Sequence, residues 1–188
     1  MIRVRDLTVR LGGVLALDLP SLDVDPGERL GVVGKNGSGK STLLRVLAHL
    51  QAPTTGTVEG IPARGRVVLL HQHPYLFRGT SADNVRYALR LGRRPESEAG
   101  AWLEKLGVAH LGDRAASALS AGERRRVAVA RALASAPEVL LLDEPFAALD
   151  EDGVATLLAA ISEFEGTAIL ATPEEPPIQL RRLVTLGA

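Results

Sequence analysis

The stretch that decides the fold is Val32-Val-Gly-Lys-Asn-Gly-Ser-Gly-Lys-Ser-Thr42. It matches the pattern Gly-x-x-x-x-Gly-Lys-Ser/Thr at Gly34, Gly39, Lys40 and Ser41. The apolar run Leu30–Val33 before it predicts a buried strand, and the amphipathic segment after it predicts a helix. Glycines let backbone N–H groups converge on phosphate oxygens, and a helix N-terminus attracts negative charge. The stretch therefore predicts a nucleoside triphosphate site, with a glycine-rich turn that binds nothing as the alternative.

Each residue of this loop has an expected part in holding the nucleotide. Lys40 is expected to place its charge on the β- and γ-phosphates, and Ser41 to offer its hydroxyl to Mg²⁺. The predicted ligands are therefore ATP and Mg²⁺. The residues expected to contact ATP are Gly34, Lys35, Asn36, Gly37, Ser38, Gly39, Lys40, Ser41 and Thr42.

A pair of carboxylates closes a second apolar run, Val139-Leu-Leu-Leu-Asp-Glu-Pro145. Successive side chains of a strand point opposite ways, so Asp143 and Glu144 are expected to divide the chemistry. At the carboxyl end of a central strand, Asp143 is predicted to hold Mg²⁺ and Glu144 to act as general base for the attacking water. A solvated turn is the alternative reading.

A third motif, Leu119-Ser-Ala-Gly-Glu123, comes before an apolar-periodic run. Ser120 and Glu123 have the spacing of a capping box, which is a purely structural device. A helix N-terminus that contains a glycine and is followed by Arg124, Arg125 and Arg126 can also bind an anion. Two anion sites and one nucleotide per chain suggest that two chains share each nucleotide.

Composition limits the remaining possibilities. The 188 residues are 46% hydrophobic, which suits one substantial core. The 22 basic and 22 acidic residues give no net charge that would recruit nucleic acid, and the lack of cysteine excludes thiolate sites. Charged residues interrupt Met1–Arg10, unlike a signal peptide, and the longest apolar runs are shorter than the roughly 20 residues of a membrane helix.

The order of elements predicts an α/β fold: a P-loop NTPase core with a mostly parallel sheet, an N-terminal antiparallel β part and an inserted small helical subdomain. Strands are expected over Ile2–Val9 and Val14–Val24, and Arg66–Leu70 is expected to be buried on both faces. The pattern is helical over Ser81–Leu106, with a break at Gly92–Pro95. One domain, 1–188, is predicted, with the core at about 1–75 and 119–188 and the helical subdomain at about 80–118.

Taken together, these motifs resemble the nucleotide-binding subunit of an ABC transporter. The resemblance rests on the phosphate loop, Gln72, the Leu119–Glu123 motif, Asp143-Glu144-Pro145 and Ala148-Leu-Asp150, in that order. It implies an ATPase that works as a head-to-tail dimer, in which Ser120, Gly122 and Glu123 meet the nucleotide held by the other subunit. It also implies that Asp150 crosses the interface and that Gln72 contacts Mg²⁺ or the attacking water.

The resemblance also implies partners. A second ATP-binding subunit would complete a homodimer or heterodimer, and transmembrane permease subunits would contact Pro74–Thr80. Exposed Tyr75, Leu76 and Phe77 would suit that docking, although they could equally be core residues. Import is slightly favoured by analogy, with a substrate-binding protein as a further partner and no nucleic acid. The expected location is the cytoplasmic face of the membrane, without a C-terminal regulatory domain.

Three positions depart from the pattern of this family. Leu11 stands where an aromatic residue usually stacks on adenine, and Ala121 replaces the more usual glycine. Pro173 aligns with the switch histidine that contacts the γ-phosphate, and proline has no side-chain donor or N–H. Weak turnover is therefore predicted, unless Thr172 or a histidine of the partner serves instead. The four histidines, expected in surface or packing roles, are His49, His71, His73 and His110.

Two other functions remain open from the sequence. Leu11 and Pro173 favour a regulatory ABC module that binds ATP to dimerise and hydrolyses little of it. A soluble ABC ATPase of DNA repair or translation is disfavoured by the neutral charge and by the lack of long basic segments.

Overall fold

A computed structural model describes residues 1–177 and 180–187, and the chain divides into two compact units. The first unit comprises 1–69, 138–144 and 165–188, and the second comprises 70–137 and 145–164. The strands are β1 Ile2–Leu11, β2 Val14–Val24, β3 Arg29–Val33, β4 Thr55–Glu59, β5 Val67–Leu70, β6 Val139–Asp143, β7 Thr167–Thr172 and β8 Arg182–Thr185. The helices are α1 Lys40–Leu47, α2 Ser81–Leu91, α3 Ala99–Lys105, α4 Ala121–Ala134 and α5 Glu151–Ser162, with short 3₁₀ turns at Glu96–Glu98, Ala109–Leu111 and Ala116–Ala118.

The N-terminal strands form a three-stranded antiparallel sheet in the order β2-β1-β4. Along β1, the buried residues Val4, Leu7 and Val9 face the core of the first unit, and charged residues lie between them. This half-buried alternation is the pattern that antiparallel strands show when one face is solvated. The predicted N-terminal antiparallel part is confirmed.

The second sheet has five strands in the order β5-β6-β7-β3-β8. Strands β6, β7, β3 and β8 run parallel, and every residue of β6 and β7 is buried. Val33 pairs with Thr172, and Asp143 pairs with Ala171. The carboxyl ends of β3, β6 and β7 therefore share one edge of the sheet. The predicted mostly parallel sheet is therefore confirmed.

Strand β5 corrects one expectation. Val67 to Leu69 are only half-buried, whereas the sequence predicted burial on both faces. Among the described strands, β5 lies at the edge of the sheet beside β6, so its side chains are less completely covered.

The second unit is helical, with α4 in contact with α2, α3 and α5. Helix α2 starts in a capping box, in which the Thr80 hydroxyl accepts the Asp83 N–H and the Asp83 carboxylate accepts the Thr80 N–H. It ends at Leu91 and is capped by Gly92, on which a Cβ would lie 2.9 Å from the Ser135 carbonyl oxygen. The predicted interruption after Leu91 is confirmed. Glycine is required at position 92, because the backbone of Ser135 occupies the space that a side chain would need.

Candidate functional site

The phosphate loop connects β3 to α1 within the first unit. Two of its glycines are required by close backbone neighbours as well as by their positive φ. A Cβ on Gly34 (φ 157°) would lie 2.5 Å from the Leu186 carbonyl oxygen, and one on Gly39 (φ 95°) would lie 2.6 Å from the Ala16 carbonyl oxygen. The loop is therefore held tightly between the end of β8 and strand β2, while its residues Lys35 to Gly37 are exposed.

Helix α1 begins directly after Gly39, which caps it in the left-handed conformation without any side-chain hydrogen bond. Lys40 is 6% exposed, and its Nζ donates to the carbonyl oxygens of Gly34 (2.5 Å) and Lys35 (2.9 Å). The ammonium group therefore lies against the loop, as a point charge for phosphate should.

Ser38 supplies an independent sign that the loop binds an oxygen-rich ligand. Within the described residues its Oγ is buried and has no hydrogen-bond partner. Buried hydroxyls are nearly always satisfied by protein, water or ligand. A phosphate oxygen would satisfy this hydroxyl, which lies in the loop directly before the uncapped start of α1.

The carboxylates Asp143 and Glu144 follow β6, which belongs to the same five-stranded sheet as β3. Asp143 ends β6 and is 6% exposed, and Glu144 follows with φ 46° and a half-buried side chain. The Glu144 N–H donates to the Ala171 carbonyl oxygen (2.8 Å), so β6 stays paired with β7 while the chain turns. A left-handed residue that is not glycine costs energy, and such strain concentrates at functional sites.

The donor set fits Mg²⁺. The Ser41 hydroxyl is half-buried in the first turn of α1, and the Asp143 carboxylate is buried in the same unit. Hard oxygen ligands, few in number and completed by phosphate oxygens, are what Mg²⁺ takes in nucleotide sites. Within the described residues no three His, Cys, Asp or Glu side chains converge as a metal site of their own.

Strand β7 ends between these two features. Thr172 pairs with Val33, directly before the phosphate loop, and Pro173 follows as an exposed residue. The Oγ1 of Thr172 is buried and, within the described residues, has no hydrogen-bond partner. Position 173 thus follows the strand end as the sequence predicted, and proline offers no side-chain polar atom there.

The phosphate loop meets the β1–β2 hairpin at strand β2. Leu11 is 43% exposed at the hairpin end, beside exposed Val14 and Leu15, and Ala16 is the β2 residue whose carbonyl oxygen faces Gly39. The position predicted to lack a stacking aromatic is therefore part of an exposed apolar tip in the same unit as the loop.

The Leu119–Glu123 motif lies in the second unit and is a complete capping box. The Ser120 Oγ accepts the Glu123 N–H (3.3 Å), and the Glu123 carboxylate accepts the Ser120 N–H (2.7 Å). Hydrogen bonds that the Glu123 carboxylate accepts from Ser120, first from its backbone N–H and then from its side chain, hold the pKa of Glu123 below its usual range. Ala121 has a helical φ as the first residue of α4, so it fits without strain. A Cβ on Gly122 would lie 2.9 Å from the Ala148 carbonyl oxygen.

Two of the three arginines after this motif, Arg124 and Arg125, donate hydrogen bonds to backbone carbonyl oxygens. Arg125 is buried, 4% exposed, and donates to the Gln72 carbonyl oxygen. Arg124 donates to the Leu119 carbonyl oxygen (3.2 Å). Arg125 therefore ties α4 to the segment after β5, and the anion site at the start of α4 stays a prediction.

Asp150 caps helix α5, because its Oδ1 accepts the Gly153 N–H (2.9 Å), and the residue is exposed. Gln72 is half-buried in the second unit. Their roles at a shared nucleotide stay predictions.

The segment Pro74–Thr80 borders a cavity of about 690 Å³. Tyr75 is 70% and Phe77 41% exposed, whereas Leu76 is buried. The Phe77 ring packs edge-on against Tyr87, and the Arg131 guanidinium lies over its face. The expectation of three exposed residues is therefore wrong for Leu76, which belongs to the core. The cavity is lined by Pro74 to Thr80, Asp113, Ala115 to Ser117 and Arg124.

Comparison with known proteins gives a consistent result. The family model described as "ABC transporter" matches residues 17–147. The chain is 40% identical, over 93% of its length, to the sulfate/thiosulfate import ATP-binding protein CysA of Mycolicibacterium paratuberculosis, and it covers 53% of that protein. It is 43% identical, over 79% of its length, to the CysA of Bradyrhizobium diazoefficiens, of which it covers 48%. The chain thus spans about half the length of these curated relatives.

Solved structures agree with the sequence relatives. A dimeric post-hydrolysis state of the ATP-binding cassette MJ0796, bound to ADP and Pi, matches with a TM-score of 0.86 and 25% identity, covering 99% of this chain and 94% of that one. The cbiO1 protein of Clostridium perfringens, part of the ABC transporter complex cbiONQ, matches with a TM-score of 0.76 and 28% identity, covering 92% and 78%. In the described part of the chain, no helix has the length and apolar character needed to cross a membrane.

Proposed function

Because the chain belongs to the ABC transporter family of ATP-binding subunits, we propose that it binds and hydrolyses ATP as the motor subunit of a membrane transporter. The observation that supports the proposal is that β3, which leads into the phosphate loop, and β6, which ends in Asp143, both end at one edge of one parallel sheet. Open α/β sheets bind ligands at this edge.

The chain's own residues account for the chemistry. The uncapped start of α1 and Lys40 would hold the phosphates, while Ser41 and Asp143 would hold Mg²⁺. When bound, Mg²⁺ neutralises charge that develops on the phosphoryl oxygens. The Glu144 carboxylate would take a proton from the attacking water. Glu144 is therefore a proposed catalytic residue, and Gln72 is the second, as a contact to Mg²⁺ or to that water.

Turnover is proposed to be slow, because Pro173 supplies no donor at the γ-phosphate. Loss of one preorganised donor costs about 100-fold to 1,000-fold in rate. Pro173→His should raise the rate of phosphate release with Mg-ATP, and Glu144→Gln should abolish the remaining rate. Glu165→Gln, an exposed carboxylate before β7, is the control and should turn over like the unmodified protein. Fast turnover without the histidine would contradict the proposal, whereas ATP binding with no turnover would favour an ATP-gated module.

Two subunits are proposed to share each nucleotide, in a homodimer or heterodimer. Ser120, Gly122 and Glu123 of one subunit would meet the phosphates held by the other, with Asp150 at the interface. The dimeric solved relative supports this arrangement. The Ser120 hydroxyl accepts the Glu123 N–H and also hydrogen-bonds with the Glu123 carboxylate, so its proton would have to change partner to reach a phosphate oxygen.

Import is the proposed direction, at the cytoplasmic face of a membrane and with a substrate-binding protein as a further partner. The support comes from the import ATP-binding proteins among the relatives. The fold itself does not decide, since a bacterial Atm1-family ABC exporter also matches, with a TM-score of 0.85. The cargo would be selected by the other subunits.

The permease is proposed to dock on the cavity at Pro74–Thr80. Tyr75 and Phe77 present aromatic surface there, and large aromatic side chains dominate binding energy at protein interfaces. Replacing both with serine should abolish co-purification of the permease in mild detergent. Leu91→Ser is the matched control, because Leu91 is 67% exposed on α2. Undiminished co-purification of the Tyr75 and Phe77 double variant would assign the docking surface elsewhere.

A further inference from the structure

The chain between β5 and α2 is irregular, and side chains of two helices hold its backbone. Strand β5 ends at Leu70 and helix α2 begins at Ser81, so residues 71–80 form a connecting segment. From α2, the buried Asn84 side chain accepts the Phe77 N–H (2.8 Å) and donates to the Phe77 carbonyl oxygen (3.1 Å). A backbone outside helices and sheets depends on such side-chain partners to keep one conformation.

Helix α4 holds the connecting segment at two further points. The buried Arg125 donates to the Gln72 carbonyl oxygen. The Arg131 guanidinium donates to the Tyr75 carbonyl oxygen (2.7 Å). Six residues of an α-helix rise about 9 Å, and three residues of extended chain span at most about 10 Å. This match of lengths lets the stretch from Gln72 to Tyr75 run alongside α4, fixed to the helix at both ends.

Arg131 has further contacts with the connecting segment and with its support on α2. It donates to the Asn84 Oδ1 (3.3 Å), and its guanidinium lies over the Phe77 ring, 5.0 Å from the ring centroid. Burial lowers the pKa of Arg131 from its ordinary value, which indicates that the guanidinium is partly withdrawn from water. Withdrawing a cation from water costs free energy, and hydrogen bonds and a ring face offset that cost.

The connecting segment carries the residues of the proposed docking surface. Tyr75 is 70% and Phe77 41% exposed, and their rings pack edge to face with centroids 5.9 Å apart. Arg131 holds the backbone of the first residue and the ring of the second. The same helix begins at Ser120, the proposed contact to the nucleotide of a second subunit. Helix α4 thus connects the proposed docking residues with the proposed subunit contact.

We propose that Arg131 is a positioning residue, which fixes the connecting segment to α4 so that a docked permease and a nucleotide at Ser120 act on one rigid element. The inference rests on the proposed docking surface and the proposed dimer. Without Arg131, the connecting segment would shift independently of the helix, and the two binding events would lose their coupling.

Cleavage of the native chain by trypsin after Arg78 measures this hold, because Arg78 is exposed within the connecting segment. Arg131→Met keeps a long side chain but removes both hydrogen bonds. Cleavage after Arg78 should become about tenfold faster, since a charged donor is lost from the closed segment. Cleavage after Arg93, which is exposed in the same unit, should keep its rate, and calorimetry should give the wild-type Mg-ATP affinity. Arg90→Met, which removes an exposed arginine of α2, is the control and should change neither rate.

A second comparison separates positioning from stability. In Glu144→Gln, Mg-ATP should restrain α4 within the dimer and slow cleavage after Arg78. Adding Arg131→Met should abolish this ATP dependence, although light scattering should still show the dimer. A Glu144→Gln dimer in which ATP does not change cleavage after Arg78 would overturn the inference, as would the same ATP dependence with and without Arg131. Cleavage that accelerates equally after Arg78 and Arg93 would assign Arg131 to general stability instead.

Arg131→Lys carries the same test if Arg131→Met does not fold. One ammonium group can hold the Tyr75 carbonyl oxygen or the Asn84 amide oxygen but lacks the fork that holds both, so cleavage after Arg78 should still be faster than in the unmodified chain. A wild-type rate in Arg131→Lys would contradict the inference. If the unmodified chain binds no Mg-ATP, the proposed function fails, whereas the cleavage rates without nucleotide still test the hold of Arg131.

Discussion

The N-termini of helices α1 and α4 belong to the two motifs that define this chain, yet they are built in opposite ways. Helix α1 starts at a left-handed glycine, without a side-chain cap and without an acidic residue in its first turn. Helix α4 starts at Ser120, with a complete capping box and the acidic Glu123 in its first turn. The first end leaves its N–H groups to a ligand, whereas the second satisfies some of them from its own side chains.

The difference indicates how each end can meet a phosphate. The end of α1 adds helix N–H groups to the buried Lys40 charge, so one chain can hold a nucleotide by itself. At α4, the Glu123 carboxylate offsets the positive end of the helix dipole. Helix α4 should therefore contact a phosphate only when another subunit already holds it. On this account ATP binding comes first and association of the subunits follows.

The largest expected effect is at the uncapped end. Lys40→Ala removes the point charge on the phosphates and should weaken Mg-ATP binding beyond detection, at least about 100-fold, in calorimetry. Lys105→Ala, which removes a partly exposed lysine paired with Glu163, is the control and should bind like the unmodified chain. Wild-type affinity in Lys40→Ala would remove the basis of the comparison.

A smaller effect is expected from the glycine that caps α1. In Gly39→Ala a methyl group would meet the Ala16 carbonyl oxygen at 2.6 Å and adopt an unfavourable φ, so the free energy of unfolding should fall by about 2 kcal/mol or more. Gly37→Ala has a similar φ of 86° but open space around it, so it should lose only the conformational part, about 1 kcal/mol. Urea denaturation measures both, and equal losses would show that the packing against β2 is unimportant.

The smallest effect is expected at the capped end. Hydrogen bonds from Ser120 hold the pKa of Glu123 below its usual range in the folded chain, so this carboxylate stabilises the fold at pH values above its unfolded pKa. That stabilisation is lost as the pH falls through the lowered folded pKa. Glu123→Gln should therefore melt slightly below the unmodified chain at neutral pH, and the difference should vanish in acid.

Thermal melts of Glu123→Gln across pH test this expectation, with Glu104→Gln on the exposed side of α3 as the control. A difference that persists unchanged at acid pH would show that the carboxylate charge is not what stabilises the start of α4.

The features that could be predicted from the sequence are those coded by local patterns. The loop glycines, the capping box of Ser120 and the apolar runs of β6 and β7 each carry their own signal, and the structure has the predicted elements there. The incorrect expectations concern Leu76 and strand β5, whose burial depends on neighbours distant in sequence. The unsatisfied hydroxyl of Thr172 likewise depends on three-dimensional surroundings that no local pattern reports.

The most direct test of the central claim, that ATP held at α1 brings the capped end of a second subunit to it, is the mass of Glu144→Gln in solution. Losing the general base should trap bound Mg-ATP, so light scattering after size exclusion should show a monomer without nucleotide and a dimer with it. The double variant Lys40→Ala, Glu144→Gln should remain monomeric in both conditions. A Glu144→Gln chain that stays monomeric at saturating Mg-ATP, with binding confirmed by calorimetry, would contradict the account.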